Sequence, residues 1–95
     1  MQYQELLNHK AEILNIFKQY GVTNPRVFGS TVSGVAHSKS DIDFLITWPT
    51  KHNLLDRIQL KSSLEDLLHQ KVDLVVEKTL HPLIRDQVLE SAKPL

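Results

Sequence analysis

The run "DIDFLITW", Asp41 to Trp48, restricts this chain more than any other stretch. It reads as a largely buried β-strand that Pro49 stops. Along a strand, residues two apart share a face, at a rise of about 3.3 Å per residue. Asp41 and Asp43 therefore project together, while Ile42 and Phe44 point the other way, into a core. Two carboxylates that close raise one another's pKa unless a cation lies between them. Any fold for this chain has to seat an acidic pair on a strand that is otherwise apolar.

Around that strand the apolar periodicity alternates. From Gln2 to Tyr20, the residues Tyr3, Leu7, Leu14 and Phe17, flanked by Leu6, Ile13 and Tyr20, follow helical spacing. Gly21 is placed to end this helix in a left-handed cap, with Val22 folding back on Phe17. "NPRVFGS" follows as a short strand with Pro25 at its start. "STVSGVA" is expected to form a brief helix capped by Ser30, and "HSKS" to return the chain as a loop. After the second strand, Asn53 is placed to cap a helix carrying Leu54, Leu55, Ile58, Leu60, Leu64, Leu67 and Leu68. A capping-box pattern at Ser62 and Glu65 leaves a break or restart open there. "KVDLVV" is a third strand, and Thr79 is expected to cap a last helix bearing Leu80, Leu83, Ile84, Val88 and Leu89. The order α-β-α-β-α-β-α predicts an α/β fold, a small mixed β-sheet with helices packed against it.

At 95 residues, 41% hydrophobic and 23% charged, residues 1–95 are expected to form one globular domain. Lys plus Arg and Asp plus Glu each total 11, so no net basic field supports nucleic acid as a direct ligand. The absence of cysteine excludes a disulfide framework, a thiol nucleophile and a zinc ribbon. "MQYQELLNHK" lacks the pattern of a signal peptide, and no run approaches the roughly 18 apolar residues of a membrane span. A cytoplasmic protein is the expectation.

The candidate chemistry lies in three acids and a Gly-Ser. Asp73 in "KVDLVV" is a third carboxylate inside an apolar strand, and next to the second strand it would join Asp41 and Asp43. Mg²⁺ suits such a cluster, because it is typically held by one or two carboxylates plus substrate phosphates. Three acids near two metals suit in-line displacement at phosphorus. Gly29 lets the backbone approach a phosphate, and the helix start after it offers N–H donors. The Ser30 hydroxyl is placed to hydrogen-bond a phosphate oxygen. Each piece alone has an ordinary structural reading: a solvated strand edge, a turn, and an Asp73 that caps something or pairs with Lys71. Their order argues for a site: apolar strand, Gly-Ser, ten residues, D-x-D, then an acid inside a later strand.

"GSTVSGVAHSKSDID" resembles the G-S-x10-D-x-D signature of the DNA polymerase β-like nucleotidyltransferase superfamily. In particular the chain resembles the minimal nucleotidyltransferases (MNT) that act as antitoxins to HEPN-domain ribonucleases, a likeness that continues through "LEDLLHQKVDLVVEKTLHPLIRDQVLESAKPL". The resemblance implies that Gly29 and Ser30 bind the triphosphate. It also implies that Asp41, Asp43 and Asp73 are the catalytic, metal-binding acids, with Mg²⁺ as the ion and Mn²⁺ as its alternative. The implied activity is transfer of a nucleotide, first of all AMP from ATP, to a hydroxyl of a protein partner, nominated as a HEPN-type toxin. The extra helical domain with which antibiotic-modifying relatives hold a small acceptor is not expected within these 95 residues. A binding module that neutralises its partner by occlusion, without catalysis, is the alternative. A detached subunit acting on RNA or a small molecule is a third reading, and the neutral charge gives RNA no support. Two departures stand out. Thr31 and Ser33 occupy positions where the family often has arginines, and the strand that many relatives add after the last helix is not expected in "AKPL". The nucleotide base, the acceptor and homo-oligomerisation are left open.

Elsewhere the signals are thinner. His9, His37, His52, His69 and His81 have no ligand spacing. His37 and Lys39 are either solvated loop residues or nucleotide contacts. Trp48 either packs or stacks on a base. "GVAHSKS" lacks the ending a P-loop requires. The leucine-rich helix from Leu54 to Leu68 is core by default, with exposed apolar surface for a partner as the other reading.

Overall fold

The computed structural model describes residues 1–33 and 41–95, so "HSKS", His37 and Lys39 lie outside the described residues. Strand β1 (Thr23–Phe28) pairs antiparallel with β2 (Ile42–Thr47), and β3 (Val72–Val76) pairs parallel with β2 on its other side. A two-residue β4 (Lys93–Pro94) adds antiparallel to β1, giving the order β3-β2-β1-β4. Parallel neighbours need a long crossover, here made by α4 (Leu54–Leu68). Alternation along the strands turns Val27, Ile42, Phe44, Ile46, Val72 and Leu74 to one face. That face is covered by α1 (Tyr3–Leu7), α2 (Lys10–Gln19) and α4, which contribute Leu6, Ile13, Phe17, Leu60, Leu64 and Leu68 to the core. Phe17 meets Phe44 edge-on, with ring centroids 5.4 Å apart. The opposite face carries Asp43, Leu45 and Asp73. There Arg26, in register with Leu45, pairs with Glu77 in a 3₁₀ turn (Glu77–Thr79) that folds back onto β2.

Local chemistry explains most of the boundaries. Gly21 (φ +75°) ends α2 in a Schellman motif, with the Val22 N–H donating to the Phe17 carbonyl at 3.0 Å. Pro25 falls where the β1–β2 register shifts, between Thr23 and Arg26, beside Asn24 at φ +50°. Asn53 and Asp56 cap α4 reciprocally, each accepting the other's backbone N–H at 2.9 Å.

Other expectations need correction. The first helix is two, because at Asn8 and His9 the backbone N–H groups bond to carbonyls three residues back, at 3.1 and 2.9 Å, which tightens the turn. α4 does not restart at Ser62; Glu65 instead accepts the N–H of Val72 at 3.0 Å, holding the start of β3. Arg57 donates to the Leu74 carbonyl, so two groups on the free edge of β3 are taken by α4. Thr79 does not cap the last helix: its hydroxyl donates to the Val76 carbonyl. The cap of α5 (Pro82–Ser91) is the His81 ring, whose Nδ1 accepts the Leu83 N–H at 3.1 Å. "AKPL" does contain a strand, β4, held also by the Tyr3 hydroxyl on the Pro94 carbonyl at 2.7 Å. Among the described residues, no helix is long and apolar enough to cross a membrane.

Replacing Gly21 with Ala should destabilise the protein by about 1–2 kcal/mol, the cost of a left-handed L-residue. The new Cβ would also meet the Thr50 side chain at 2.8 Å. A lowered urea midpoint with unchanged slope is the expected result, and an unchanged midpoint would contradict it.

Candidate active site

Two strand registers build the acidic end of the sheet. Asp43 is the Cα partner of Asp73 across the parallel pair and of Phe28 across the antiparallel one. In-register neighbours on adjacent strands share a face about 4.8 Å apart, so Asp43 and Asp73 project together. The central-strand residue Asp43 is half-buried, whereas Asp73, on the edge strand, is exposed. Asp41 lies just before β2 rather than within it, and is also exposed, so the expected in-strand pair is one strand residue and one flanking residue. Burial, then the charges of Asp73 and Asp41, push the Asp43 carboxyl up to about 6. All three causes act in the same direction, as in an acidic cluster that lacks a compensating cation.

Gly29 closes the site from the β1 side. It follows Phe28 directly, adopts φ +74°, and lies so close to Asp43 that a Cβ there would overlap Oδ2 of the carboxylate. Glycine is therefore needed twice, for the backbone angle and for the space. Ser30 is the first residue of α3 (Ser30–Ser33) rather than its cap; the Gly29 carbonyl accepts the N–H groups of Val32 and Ser33 at 3.2 and 3.1 Å. α3 packs on β1 and β2, and so holds the Gly-Ser turn against the acidic end.

The remaining candidates separate from this cluster. Trp48 is buried, donates from Nε1 to the Tyr20 carbonyl at 2.8 Å and stacks on His52, so it is a packing residue. An open cleft of about 560 Å³ is lined by Pro49, Thr50, Lys51, His52, Asn53 and Asp56, at the far end of β2 from Asp43. None of Asp41, Asp43 and Asp73 lines it.

Comparison with known proteins decides what kind of site this is. The family profile described as polymerase beta, nucleotidyltransferase matches residues 11–95. The chain belongs to this nucleotidyltransferase family. A relative from Thermococcus cleftensis, named protein adenylyltransferase MntA, is 39% identical over 84 residues, covering 88% of this chain and 82% of the relative. A solved structure described as a candidate minimal nucleotidyltransferase superposes with a TM-score of 0.86 at 39% identity, covering 100% of this chain and 97% of that one. At 21% identity, an MNT antitoxin solved in complex with the tri-AMPylated HEPN toxin of Shewanella oneidensis shares the fold, with a TM-score of 0.69 and coverage of 93% and 69%.

A nucleotidyltransferase acts on a nucleotide, and the acidic end of the sheet lies beside the Gly29 turn. Among the described residues no three carboxylate or imidazole side chains form a group that could hold a metal ion by themselves. The donor set nevertheless fits a hard divalent ion: it is all oxygen and uncompensated, and Mg²⁺ ordinarily completes its shell with substrate phosphates and water. Two features were beyond sequence reasoning. One is the contact of Gly29 with Asp43, which only the strand register reveals. The other is Thr31, noted as a departure from the family pattern and found here fully buried.

The raised Asp43 pKa sets a pH dependence. The folded protein binds that proton more tightly than the unfolded chain, so the stabilisation is complete below about pH 4 and is lost as pH rises through about 6. Without divalent cations, Asp43→Asn should therefore be the more stable form at about pH 7.5 and converge with the parent near about pH 4. Urea midpoints at the two pH values check this; a constant difference would refute it.

Proposed function

We propose that this nucleotidyltransferase transfers AMP from ATP to a hydroxyl group of a protein partner in the cytosol, and that the partner is a HEPN-type toxin. The observation that carries the reading is the convergence of the Gly29 turn, Asp43 and Asp73 on one end of the sheet. It is supported by the relative named protein adenylyltransferase and by the neighbour that carries an AMPylated HEPN toxin.

In this reading Gly29 and Ser30 receive the triphosphate, with the Ser30 hydroxyl donating to a phosphate oxygen. Asp41, Asp43 and Asp73 would hold Mg²⁺, with Mn²⁺ as an alternative; when bound, the ion offsets negative charge on the phosphates and on the leaving group. Asp73, exposed on the edge strand, is reachable by a macromolecular acceptor and takes the proton of its hydroxyl. A bond forms between the acceptor oxygen and the α-phosphorus. The bond from that phosphorus to the bridging oxygen of the β-phosphate breaks, and pyrophosphate departs.

One observation favours the second reading, occlusion of the same HEPN-type partner without catalysis. α4 is apolar on two faces: Leu60, Leu64 and Leu68 fill the core, while Leu54, Leu55 and Ile58 are 72, 59 and 54% exposed. Such a ridge is surface for a protein to cover.

Incubation with ATP, Mg²⁺ and a HEPN-type toxin, followed by intact-mass measurement of the toxin, separates the two. Transfer predicts an AMP-sized increment whose rate falls by at least about 100-fold in Asp41→Asn and Asp43→Asn, with the complex retained. A tight complex with unmodified toxin for parent and variants alike would establish occlusion instead.

A further inference from the structure

Trp48 is buried and packed at the far end of β2, so it is no platform for a nucleobase. A different aromatic ring stands at the acidic end. Phe28 is the last residue of β1 and the Cα partner of Asp43, which is in turn the partner of Asp73. In-register neighbours share a face, so Phe28, Asp43 and Asp73 form one row across the adjacent strands β1, β2 and β3. Alternation along β1 agrees. Val27, opposite Phe44, is fully buried in the core, and Phe28 projects the other way. Phe28 does not belong to the core cluster, and it stays partly exposed beside the half-buried Asp43. Its ring is therefore within reach of a ligand that meets the carboxylates.

The order of the row assigns its ends. Asp73 lies on the edge strand, the side from which a macromolecular acceptor arrives in the proposed reaction. Phe28 lies on the opposite flank of Asp43, and the chain runs from it directly into Gly29 and Ser30. The flank that holds Phe28 is thus the nucleotide's side and not the acceptor's. We propose that Phe28 is a further nucleotide-binding residue, whose ring is the stacking platform for the nucleobase. Every base has a π-face, and an aromatic side chain binds that face without reading the hydrogen-bonding edge. Phe28 accordingly supplies affinity for a nucleoside triphosphate over bare phosphate and does not choose between adenine and guanine. The inference rests on the reading that Gly29 and Ser30 receive the triphosphate, and it adds where the base goes.

Calorimetric titration of the Mg²⁺ complexes of ATP, GTP and tripolyphosphate into the parent, Phe28→Leu and Phe28→Tyr tests it. Phe28→Leu should bind ATP and GTP about tenfold more weakly, the loss of one stacked base. It should bind tripolyphosphate as the parent does, because that ligand carries no base. Phe28→Tyr, which keeps the ring, should bind ATP within about threefold of the parent. Should Phe28→Leu fold poorly, Phe28→Trp supplies a second readout: ATP should quench the added indole fluorescence and tripolyphosphate should not. Unchanged ATP affinity in Phe28→Leu, or no selective quenching in Phe28→Trp, overturns the proposal. Equal weakening of ATP and tripolyphosphate overturns it too, because a disturbed Gly29 turn would then be the cause. A parent that binds tripolyphosphate but gains nothing from the nucleoside leaves the triphosphate reading standing and removes this one. A parent that binds neither ligand overturns both.

Discussion

The registry of β2 between its two neighbours governs the acidic end of the molecule. Ile42, Phe44 and Ile46 are fully buried, each worth roughly 1.5–3 kcal/mol of transfer free energy. A slip of one residue against β1 or β3 would turn these side chains to the opposite face and draw Asp43 into the core. The apolar face therefore enforces the alignment, and the carboxylates are carried along with it. Asp43 is brought beside Asp73 and against the Gly29 turn although repulsion and burial both oppose its ionisation. Hydrophobic registry outweighs electrostatic repulsion at this end of the sheet.

The other elements hold that registry in place or leave room for a partner. α4 makes the parallel pair possible by crossing back over the sheet, and it engages the outer edge of β3 through Glu65 and Arg57. Edge hydrogen-bonding groups occupied in this way are less open to pairing with another strand. The acid on that edge, Asp73, stays exposed. On the side facing away from the sheet, the same helix leaves Leu54, Leu55 and Ile58 in solvent. The exposed apolar residues fall in the first turns of the helix and the buried ones from Leu60 onward, which explains why the leucine run supports both readings at once.

Family membership and geometry meet at the Gly29–Asp43 contact. The ten residues between Ser30 and Asp41 carry the signature, yet what the signature accomplishes is a juxtaposition of backbone and carboxylate across two strands.

What the sequence determined by itself is chemistry that acts within a few residues. Gly21 ends α2, Asn53 starts α4, and three apolar runs with D-x-D and a later acid indicate the fold and nominate the acids. Such signals are legible because a cap or an alternation depends on neighbours two to five positions away. Three of the misreadings have one cause. Ser30, Glu65 and Thr79 are all competent caps, and the tertiary structure gave each another place: the first turn of α3, the edge of β3 and the carbonyl of Val76. The pairing of β4, the in-register meeting of Asp43 with Asp73, the burial that raises Asp43 and the burial of Thr31 were decided only in three dimensions. Each depends on a partner far along the chain, and the register that selects that partner is set by the whole core at once.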